Sequence, residues 1–283
     1  MDGLTLCVPS SIVREAEDER EATRKLGTVA RAAAVFSATR LVVFPDREGE
    51  RRRGGEFVET VLRYAATPPE LRTDLWGRRD ELAYVGVLPP LRVPSRTGSP
   101  PDGDESSTQG LVTEVGPDGR VRVNSPLGEH PISLLVPDGL SVERGERVTI
   151  RISSREPVRA RITGKPEDGF QVVGADLPEV LADGGLAIAT SRHGEPLSVS
   201  RLAELAPRVQ EADDPVVAFG APGRGLPEIL GVRPEDVTAA AGGPVEPDPG
   251  FDLWLNTIPQ QGSKVVRTEE AMFASLASLT LTE

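Results

Sequence analysis

The sequence predicts an α/β fold in which a parallel sheet is interrupted by a small inserted β barrel. Residues 1–90 alternate between apolar strands and amphipathic helices, which is typical of parallel sheets with helical crossovers. Residues 110–162 instead carry short segments in which apolar and polar side chains alternate, which is typical of antiparallel strands. The alternation of strand and helix returns from Phe170 onwards. Because the first and last parts share one pattern, we expect them to form one domain around the insertion.

The first part is predicted as strand, helix, strand, helix. Apolar strands are expected at 4–8 and 41–44, and helices over 18–37 and 55–66. The apolar stripes of the two helices recur at helical spacing and consist of Leu26, Val29, Ala30, Ala33 and Ala34 in the first, and Phe57, Val61, Leu62 and Ala65 in the second.

A second pattern begins after a loop expected over 94–109, which is rich in Ser, Gly, Pro and Asp. Five short strands are predicted at 110–115, 120–124, 132–136, 147–152 and 158–162. Pro117-Asp118-Gly119 is a turn sequence that joins the first two strands as a hairpin. Five short strands in so little chain favour an OB-like barrel.

The last part is predicted to complete the parallel sheet. Strands are expected at 186–190, 216–219 and 251–258, and helices at 197–206, 225–230 and 267–281. We therefore expect residues 1–90 and 166–283 to form one discontinuous domain, with residues 91–165 as the inserted OB-like domain.

The charge is acidic overall but unevenly distributed. The chain has a net charge of −12, which disfavours a nucleic-acid partner at first sight. Residues 92–165, however, carry 11 bases and 10 acids, whereas the remainder carries 21 bases and 34 acids. Arg supplies 29 of the 32 bases, and an acidic, Lys-poor chain is typical of a GC-rich genome and of a salt-loving source. At high salt the local distribution of charge matters more than the total.

Composition also excludes several classes of protein. No apolar run reaches the roughly 18 residues of a transmembrane helix, and the first residues lack the basic segment of a secretory signal, so we expect a cytoplasmic protein with no membrane partner. The single cysteine, Cys7, is expected to be a small buried residue on the first strand. With two histidines and one cysteine, we expect no metal site.

Glycine-bearing loops follow three of the predicted strands. They span 190–194, 219–225 and 256–263. Because ligands bind at the carboxyl ends of parallel strands, all three loops are expected to line one crevice. The spacing of Gly220, Gly223 and Gly225 does not match a dinucleotide fingerprint, and no phosphate-binding P-loop is present. His193 lies in the first loop, where an ordinary loop histidine is favoured over a ligand contact.

Three stretches carry a resemblance to a known superfamily. They are 217–226 (VAFGAPGRGL), 255–271 (LNTIPQQGSKVVRTEEA) and 27–36 (GTVARAAAVF). They resemble the SPOUT superfamily of knotted methyltransferases, and more narrowly its archaeal and eukaryotic branch of RNA methyltransferases with an OB-like insertion. Two departures concern catalytic assignments: Gln260 stands where Asn is expected before Gln-Gly, and Ala221-Pro222 stands where many members carry a glutamate.

The resemblance implies a fold, a cofactor and an assembly. The C-terminal segment would thread through a loop to form a deep trefoil knot, and two chains would form a homodimer with shared active sites. S-adenosyl-L-methionine would lie between the three loops. Its contacts would come from Thr190, Ser191, Gly194, Phe219, Gly220, Gly223, Gly225, Asn256, Thr257, Ile258, Gln261, Gly262 and Val266.

Two arginines are the candidate catalytic residues. The resemblance implies that Arg31 reaches the active site of the partner subunit. Arg31 or Arg267 could stabilise negative charge that develops on the methyl acceptor. The alternatives are a helix-surface arginine for Arg31 and a cap or salt-bridge residue for Arg267. No residue is identified as the base that removes the acceptor proton.

RNA recognition is expected to involve two groups of arginines. Alternating positions on predicted strands place each pair on one face, where guanidinium groups could bind phosphate; these are Arg120 with Arg122 and Arg159 with Arg161. The second group is Arg51, Arg52 and Arg53 in a glycine-flanked loop. The insertion lacks aromatic residues for base stacking, which favours backbone binding over sequence recognition. Solvated surfaces are the alternative for both groups.

The favoured hypothesis is an S-adenosylmethionine-dependent methyltransferase that acts on ribosomal RNA, with uridine N3 as the candidate target. A second hypothesis is a non-catalytic SPOUT-like RNA-binding or ribosome-assembly protein, although its glycine loops would then have no ligand. A third is a nucleotide-dependent enzyme that uses the Gly220 loop for phosphate. The absence of a glycine loop after the first strand argues against this third hypothesis.

Overall fold

The computed structural model describes residues 3–91, 106–126, 130–155, 158–166, 169–246 and 248–281. These residues form a six-stranded parallel sheet and a separate five-stranded antiparallel sheet. The antiparallel sheet is built from residues 106–164, within the chain that forms the parallel sheet. The predicted α/β fold with an inserted antiparallel sheet is therefore confirmed. The exact domain boundaries stay a prediction, and most of the predicted 94–109 loop lies outside the described residues.

Strands and helices alternate on either side of the inserted sheet. The strands are β1 Thr5–Pro9, β2 Arg40–Phe44, β3 Ser106–Val115, β4 Arg120–Asn124, β5 Ile132–Leu135, β6 Arg147–Arg155, β7 Val158–Gly164, β8 Gln171–Gly174, β9 Ala187–Pro196, β10 Val216–Ala218 and β11 Leu253–Asn256. The helices are α1 Glu19–Val35, α2 Gly55–Ala66, α3 Pro69–Leu75, α4 Leu177–Asp183, α5 Val199–Glu211, α6 Leu226–Leu230, α7 Pro234–Ala239 and α8 Thr268–Leu279.

The parallel sheet has the order β11-β9-β10-β1-β2-β8, and each neighbouring pair is parallel. Helix α1 connects β1 to β2 as the sequence predicts. Its N-terminus is fixed by Asp18, whose carboxylate accepts a hydrogen bond from the Glu21 N–H at 2.7 Å, and its apolar stripe is buried. All parallel strands end at one edge of the sheet, so the loops that follow them meet there.

The antiparallel sheet has the order β5-β4-β3-β6-β7 and curls until its edge strands, β5 and β7, contact each other. It is therefore a nearly closed barrel. Its apolar interior is formed by the aliphatic side chains of Val112, Val121, Val123, Leu134, Val148, Ile150 and Ile162. The predicted hairpin turn is confirmed, since Gly116 donates to the Arg120 carbonyl at 2.8 Å and Gly119 has a φ of +73°.

Several predicted bounds are wrong. Strand β3 begins at Ser106, so residues 106–109 are strand and not loop, and β9 extends to Pro196. Helix α5 continues past Pro207 to Glu211, because Leu205 and Val209 are both buried and hold the last turn against the core. The sequence did not predict α3, α4, α7 or β8. Each has seven residues or fewer, too few to establish a periodic pattern.

The core of the parallel sheet includes Cys7, which is fully buried on β1 as predicted. Burial raises the pKa of the Cys7 thiol to about 12, although the positive charge of Arg40 opposes this shift. None of the described helices has the length and apolar composition needed to cross a membrane.

Candidate functional site

A cavity of about 250 Å³ lies at the carboxyl ends of β9, β10 and β11. Its walls are formed by the three predicted loops together with the first residues of α6, α7 and α8. The lining includes Thr190, Arg192, His193, Gly220, Gly223, Arg224, Gly225, Glu228, Asn256, Ile258, Lys264, Val266 and Thr268. The predicted meeting of the three loops is thus seen in the fold.

The first wall is a bulge in β9. Ala189 pairs with Trp254 of β11, but the next pair is Glu195 with Leu255, so residues 190–194 project out of the ladder. Gly194 closes the bulge. A Cβ atom there would lie 2.6 Å from the Trp254 carbonyl carbon and oxygen, so the close approach of the two strands requires glycine.

The second wall follows β10. A Cβ atom at Gly220 would lie 2.8 Å from the Leu226 nitrogen, so the loop folds back tightly on itself. Gly223 has a φ of +67°, in the left-handed region that favours glycine, and an added Cβ would meet no protein atom within 4 Å. The loop therefore presents bare backbone at the cavity wall.

Arg224 ties this second wall to the loop after β2. Its Nε lies 3.1 Å from both carboxylate oxygens of Asp46, and its Nη1 lies 2.8 Å from Glu228 Oε1. Asp46 is buried and also accepts a hydrogen bond from the Ser11 hydroxyl at 2.5 Å. The pair thus fixes the loops after β1, β2 and β10 relative to one another.

The third wall is held by side chains that bridge segments. Asn256 donates to the Arg192 carbonyl at 3.1 Å and accepts from the Ile258 N–H at 3.1 Å. Thr268, the first residue of α8, donates to the Gly220 carbonyl at 2.7 Å. Because these side chains bind protein groups, the cavity offers a ligand mainly backbone groups, small apolar side chains and a few charges.

The charges at the cavity are mixed. Arg192 and Lys264 supply positive charge, and the Glu228 carboxylate is paired with Arg224. The Nε–H of Arg192 donates to His193 Nε2 at 3.1 Å. Burial, and secondly the charge of Arg192, lower the pKa of His193 below its usual value. The lowered pKa favours the neutral imidazole form of His193 on the cavity wall.

Ten of the thirteen predicted cofactor-binding residues line the cavity: Thr190, Ser191, Gly220, Gly223, Gly225, Asn256, Thr257, Ile258, Gln261 and Val266. The other three do not. Gly194 lies at the strand contact described above, Phe219 is buried in the core, and Gly262 is exposed beside Gln261. Their roles in binding stay a prediction.

The two candidate catalytic arginines lie outside the cavity of their own chain. Arg31 is twelve residues into α1, about 18 Å along a helix that starts at the cavity edge of the sheet and runs away from it. Its guanidinium donates to the Leu91 carbonyl. Arg267 lies between the lining residues Val266 and Thr268, and its Nε is 3.4 Å from Glu15.

A partly buried cluster of charged side chains lies at the start of α8. Lys25 on α1 is 3% exposed and pairs with Glu15, which also contacts Arg267. Glu269 is 7% exposed, and its Oε2 atom has no hydrogen-bond partner among the described residues. Burial raises the pKa of the Glu269 carboxyl, although the charges of Lys25 and Arg267 oppose this.

The predicted RNA-binding arginines lie in three settings. Arg51, Arg52 and Arg53 line a cleft with residues 13–17, beside the loop after β1. On the antiparallel sheet, Arg120 donates to the Ser133 carbonyl at 2.9 Å and Arg122 lies 3.4 Å from Glu114. Arg159 and Arg161 instead line a cleft between β5 and β7.

Sequence reasoning missed three residues that shape the site. Arg224 and Thr268 lie inside the quoted motifs but were not singled out, although both follow the strand ends that mark the crevice. Asp46 comes directly after β2, so the same rule about strand ends could have found it.

Residues 3–279 match the family model described as "Putative RNA methyltransferase". The chain belongs to this RNA methyltransferase family. The chain is similar to an uncharacterised protein of Haloarcula marismortui, with 61% identity, and to one of Halobacterium salinarum, with 60% identity. Each similarity covers 99% of both chains. Both sources are halophiles, which fits the acidic, Lys-poor composition of this chain.

The methyltransferase is also similar to human 28S rRNA (uridine-N(3))-methyltransferase. The two are 29% identical over 98% of this chain and 77% of the human protein. The mouse protein of the same name is 26% identical, over 98% of this chain and 75% of its own length. The similarity therefore covers both the parallel sheet and the inserted sheet.

Proposed function

We propose that this protein transfers a methyl group from S-adenosyl-L-methionine to N3 of a uridine in ribosomal RNA. The observation that carries the proposal is the three-walled cavity, because it lies at the carboxyl ends of the strands in a chain of an RNA methyltransferase family. The choice of uridine N3 rests on the similarity to the relatives that bear this activity in their names.

The composition of the cavity fits the methyl donor. Gly223 leaves space for a ligand to approach the backbone, which could bind the edge of an adenine or a ribose. Arg192 and Lys264 could neutralise the donor's carboxylate, while Ile258 and Val266 offer apolar contacts. S-adenosylmethionine supplies an electrophilic methyl group on a sulfonium ion.

The protein's own contribution to the transfer would be largely positioning. Loops fixed by Arg224 and Thr268 would hold the acceptor nitrogen in line with the sulfur–methyl bond that breaks, which lowers the entropic part of the barrier. Uridine N3 must give up its proton to solvent before it attacks the methyl carbon, and the negative charge then spreads onto the neighbouring oxygens. Arg267 beside the cavity, and Arg31 of a second subunit, would stabilise that charge.

Several features of architecture and assembly belong to the same proposal. We propose that the segment ending in α8 forms a trefoil knot, that the barrel of residues 91–165 is OB-like, and that two subunits form a cytoplasmic homodimer. The resemblance of motifs 217–226 and 255–271 to knotted methyltransferases supports these features.

The test is calorimetric titration of S-adenosylmethionine into the purified protein in molar salt. We expect micromolar binding that is lost in Gly225→Leu. Gly225 has an ordinary φ of −72°, and an added Cβ would meet only Pro227 at 3.5 Å, so the variant should fold while its side chain fills the cavity. Gly77→Leu is the matched control, because Gly77 is exposed, has open space around it and is not among the residues that line the cavity.

Identifying the methylated nucleoside tests the choice of uridine N3 separately from the methyltransferase activity. Nucleoside analysis of ribosomal RNA from a deletion strain should show loss of one 3-methyluridine. Loss of a different methylated nucleoside would overturn uridine N3 but not the enzyme. No donor binding by the folded protein would overturn the enzyme and favour the non-catalytic assembly protein.

A further inference from the structure

The nearly closed barrel has an open seam. Its edge strands β5 and β7 contact each other without forming a pair in the sheet, and a cleft of about 530 Å³ lies between them. The lining consists of Ile132, Ser133, Leu134, Arg151, Ser153, Arg159, Ala160 and Arg161. Among the described residues, three arginines and no carboxylate therefore line this seam cleft, in a chain whose net charge is −12.

The three guanidinium groups lie on one face. Arg151 pairs with Arg161 across β6 and β7, so their side chains are neighbours on the same side of the sheet. Arg159 is two residues from Arg161 on β7, about 7 Å along the strand, and shares that face. Inward-facing Ile150 and Ile162 fill the barrel, which leaves the arginines exposed at the cleft.

Most other arginines near the candidate sites are already occupied. Arg224 contacts Asp46, Arg122 contacts Glu114, and Arg120 is bound to Ser133 through both Nε and Nη2. The cleft of Arg51 to Arg53 also contains Glu15 and Glu17. Arg159 and Arg161 differ, because neither guanidinium forms an ion pair or a hydrogen bond with any residue that the structure describes. Unpaired positive charge within a cleft is a binding site for an anion.

We propose that the seam cleft binds the phosphodiester backbone of RNA, with Arg159 and Arg161 contacting successive phosphates. The inference rests on the proposed function in so far as RNA is the partner. It narrows the sequence-based set of arginines, because Arg120 and Arg122 share the outer surface of the barrel but already have partners.

The seam cleft binds RNA without regard to base sequence. Between Tyr84 and Phe170 the sequence contains no Phe, Tyr or Trp, so the barrel lacks the large aromatic side chains on which bases stack. Arginine forks and the unpaired edges of β5 and β7 offer donors that suit phosphate oxygens. The target nucleotide is therefore selected at the cavity beside the parallel sheet, and the seam cleft holds the flanking strand.

The experiment measures RNA affinity as a function of salt. Fluorescence anisotropy with labelled oligouridylate and oligoadenylate of equal length gives the slope of log Kd against log salt. The salt concentrations are kept within the range in which circular dichroism shows that the protein is folded. For single strands the slope changes by about 0.7 for each phosphate that the protein no longer neutralises. Arg161→Gln should lower the slope by about this amount, and Arg159→Gln with Arg161→Gln by about twice as much, with roughly tenfold weaker binding at moderate salt.

Arg120→Gln is the matched control, since it removes one exposed guanidinium from the same sheet and should leave the slope nearly unchanged. Equal effects of Arg120→Gln and Arg161→Gln would overturn the seam cleft, because the weakening would then reflect general electrostatics. A preference above tenfold between the two RNAs would overturn sequence-independent binding. If the variants bind RNA as tightly as the wild type does and methylation continues, the proposal for the seam cleft is wrong and the proposed function is unaffected. If the wild-type protein binds no RNA, both the proposal for the seam cleft and the proposed function are wrong.

Discussion

At the scale of single residues, Glu269 shows burial and neighbouring charges acting in opposite directions. Removal from water disfavours its carboxylate, whereas Lys25 and Arg267 favour it. Burial has the larger effect, so the pKa is raised relative to the unfolded chain. A raised pKa means that the native state binds more protons than the unfolded state over the interval between the two pKa values. Ionisation of Glu269 therefore destabilises the fold as pH rises through that interval.

We expect Glu269→Gln to be more stable than the wild type at pH 7 and nearly equal to it at pH 4. The amide keeps the shape of the side chain but cannot ionise, so it avoids the cost of burying a charge. Urea unfolding at several pH values gives the free energy of unfolding of each protein. A variant that is less stable than the wild type at pH 7 would show that the attraction of Lys25 and Arg267 outweighs burial.

Single residues also show which parts of the candidate site can be predicted from the sequence. Glycines after apolar strands predicted the cavity, because glycine at such positions permits close backbone approach whatever the ligand. The contact between Asp46 and Arg224 could not be predicted, since the two residues are 178 positions apart in the chain and only the strand order of the sheet brings them together. The partners of Arg120 and Arg122 were hidden for the same reason, as each depends on strand register.

At the scale of elements, α8 is attached to the cavity walls by two side-chain hydrogen bonds. Thr268 donates to the Gly220 carbonyl, and Ser275 forms a hydrogen bond of 2.7 Å with Thr257. The helix is also packed against α1, where Phe273 meets Phe36 edge to face at 5.9 Å. The last helix thereby holds the second and third walls of the cavity together.

We expect Thr268→Val to weaken the binding of S-adenosylmethionine and to lower the free energy of unfolding by about 1 kcal/mol. The reason is that the substitution removes a hydrogen bond without changing the volume of the side chain. Thr280→Val is the matched control: its hydroxyl donates to the Leu276 carbonyl at 2.7 Å at the other end of the same helix. Calorimetry and thermal unfolding compare the two variants. Equal donor affinities in both would mean that the cavity walls do not depend on this bond.

Element prediction succeeded where amphipathic or alternating patterns were long and failed where tertiary contacts set the structure. Helix α1 has 17 residues and a clear stripe, whereas α7 has six and begins at Pro234. Strand β8 has only four residues and becomes a strand by pairing with β2, a contact that local sequence does not reveal.

At the scale of the whole molecule, the position of Arg31 has a consequence for assembly. Arg31 cannot serve the cavity of its own chain if it stays on α1, so its proposed role requires a second subunit. Light scattering should give twice the 30.2 kDa chain mass at both high and low salt. A monomer under all conditions would remove Arg31 from the active site.

A mixing experiment tests the shared site directly. Arg31→Ala and Gly225→Leu should each be inactive alone. A mixed dimer should regain activity, because the intact cavity of the first subunit receives Arg31 from the second. Absence of regained activity in mixed dimers that light scattering shows to have formed would place both residues in sites of the same chain.

The lone thiol on the central strand offers a further use. Cys7 lies between β2 and β10, and its proton is held so tightly that native protein contains almost no thiolate. An alkylating reagent can therefore modify it only in molecules whose central sheet has opened. The rate at which Cys7 is alkylated therefore reports the rate at which the central sheet opens, and no engineered probe is needed.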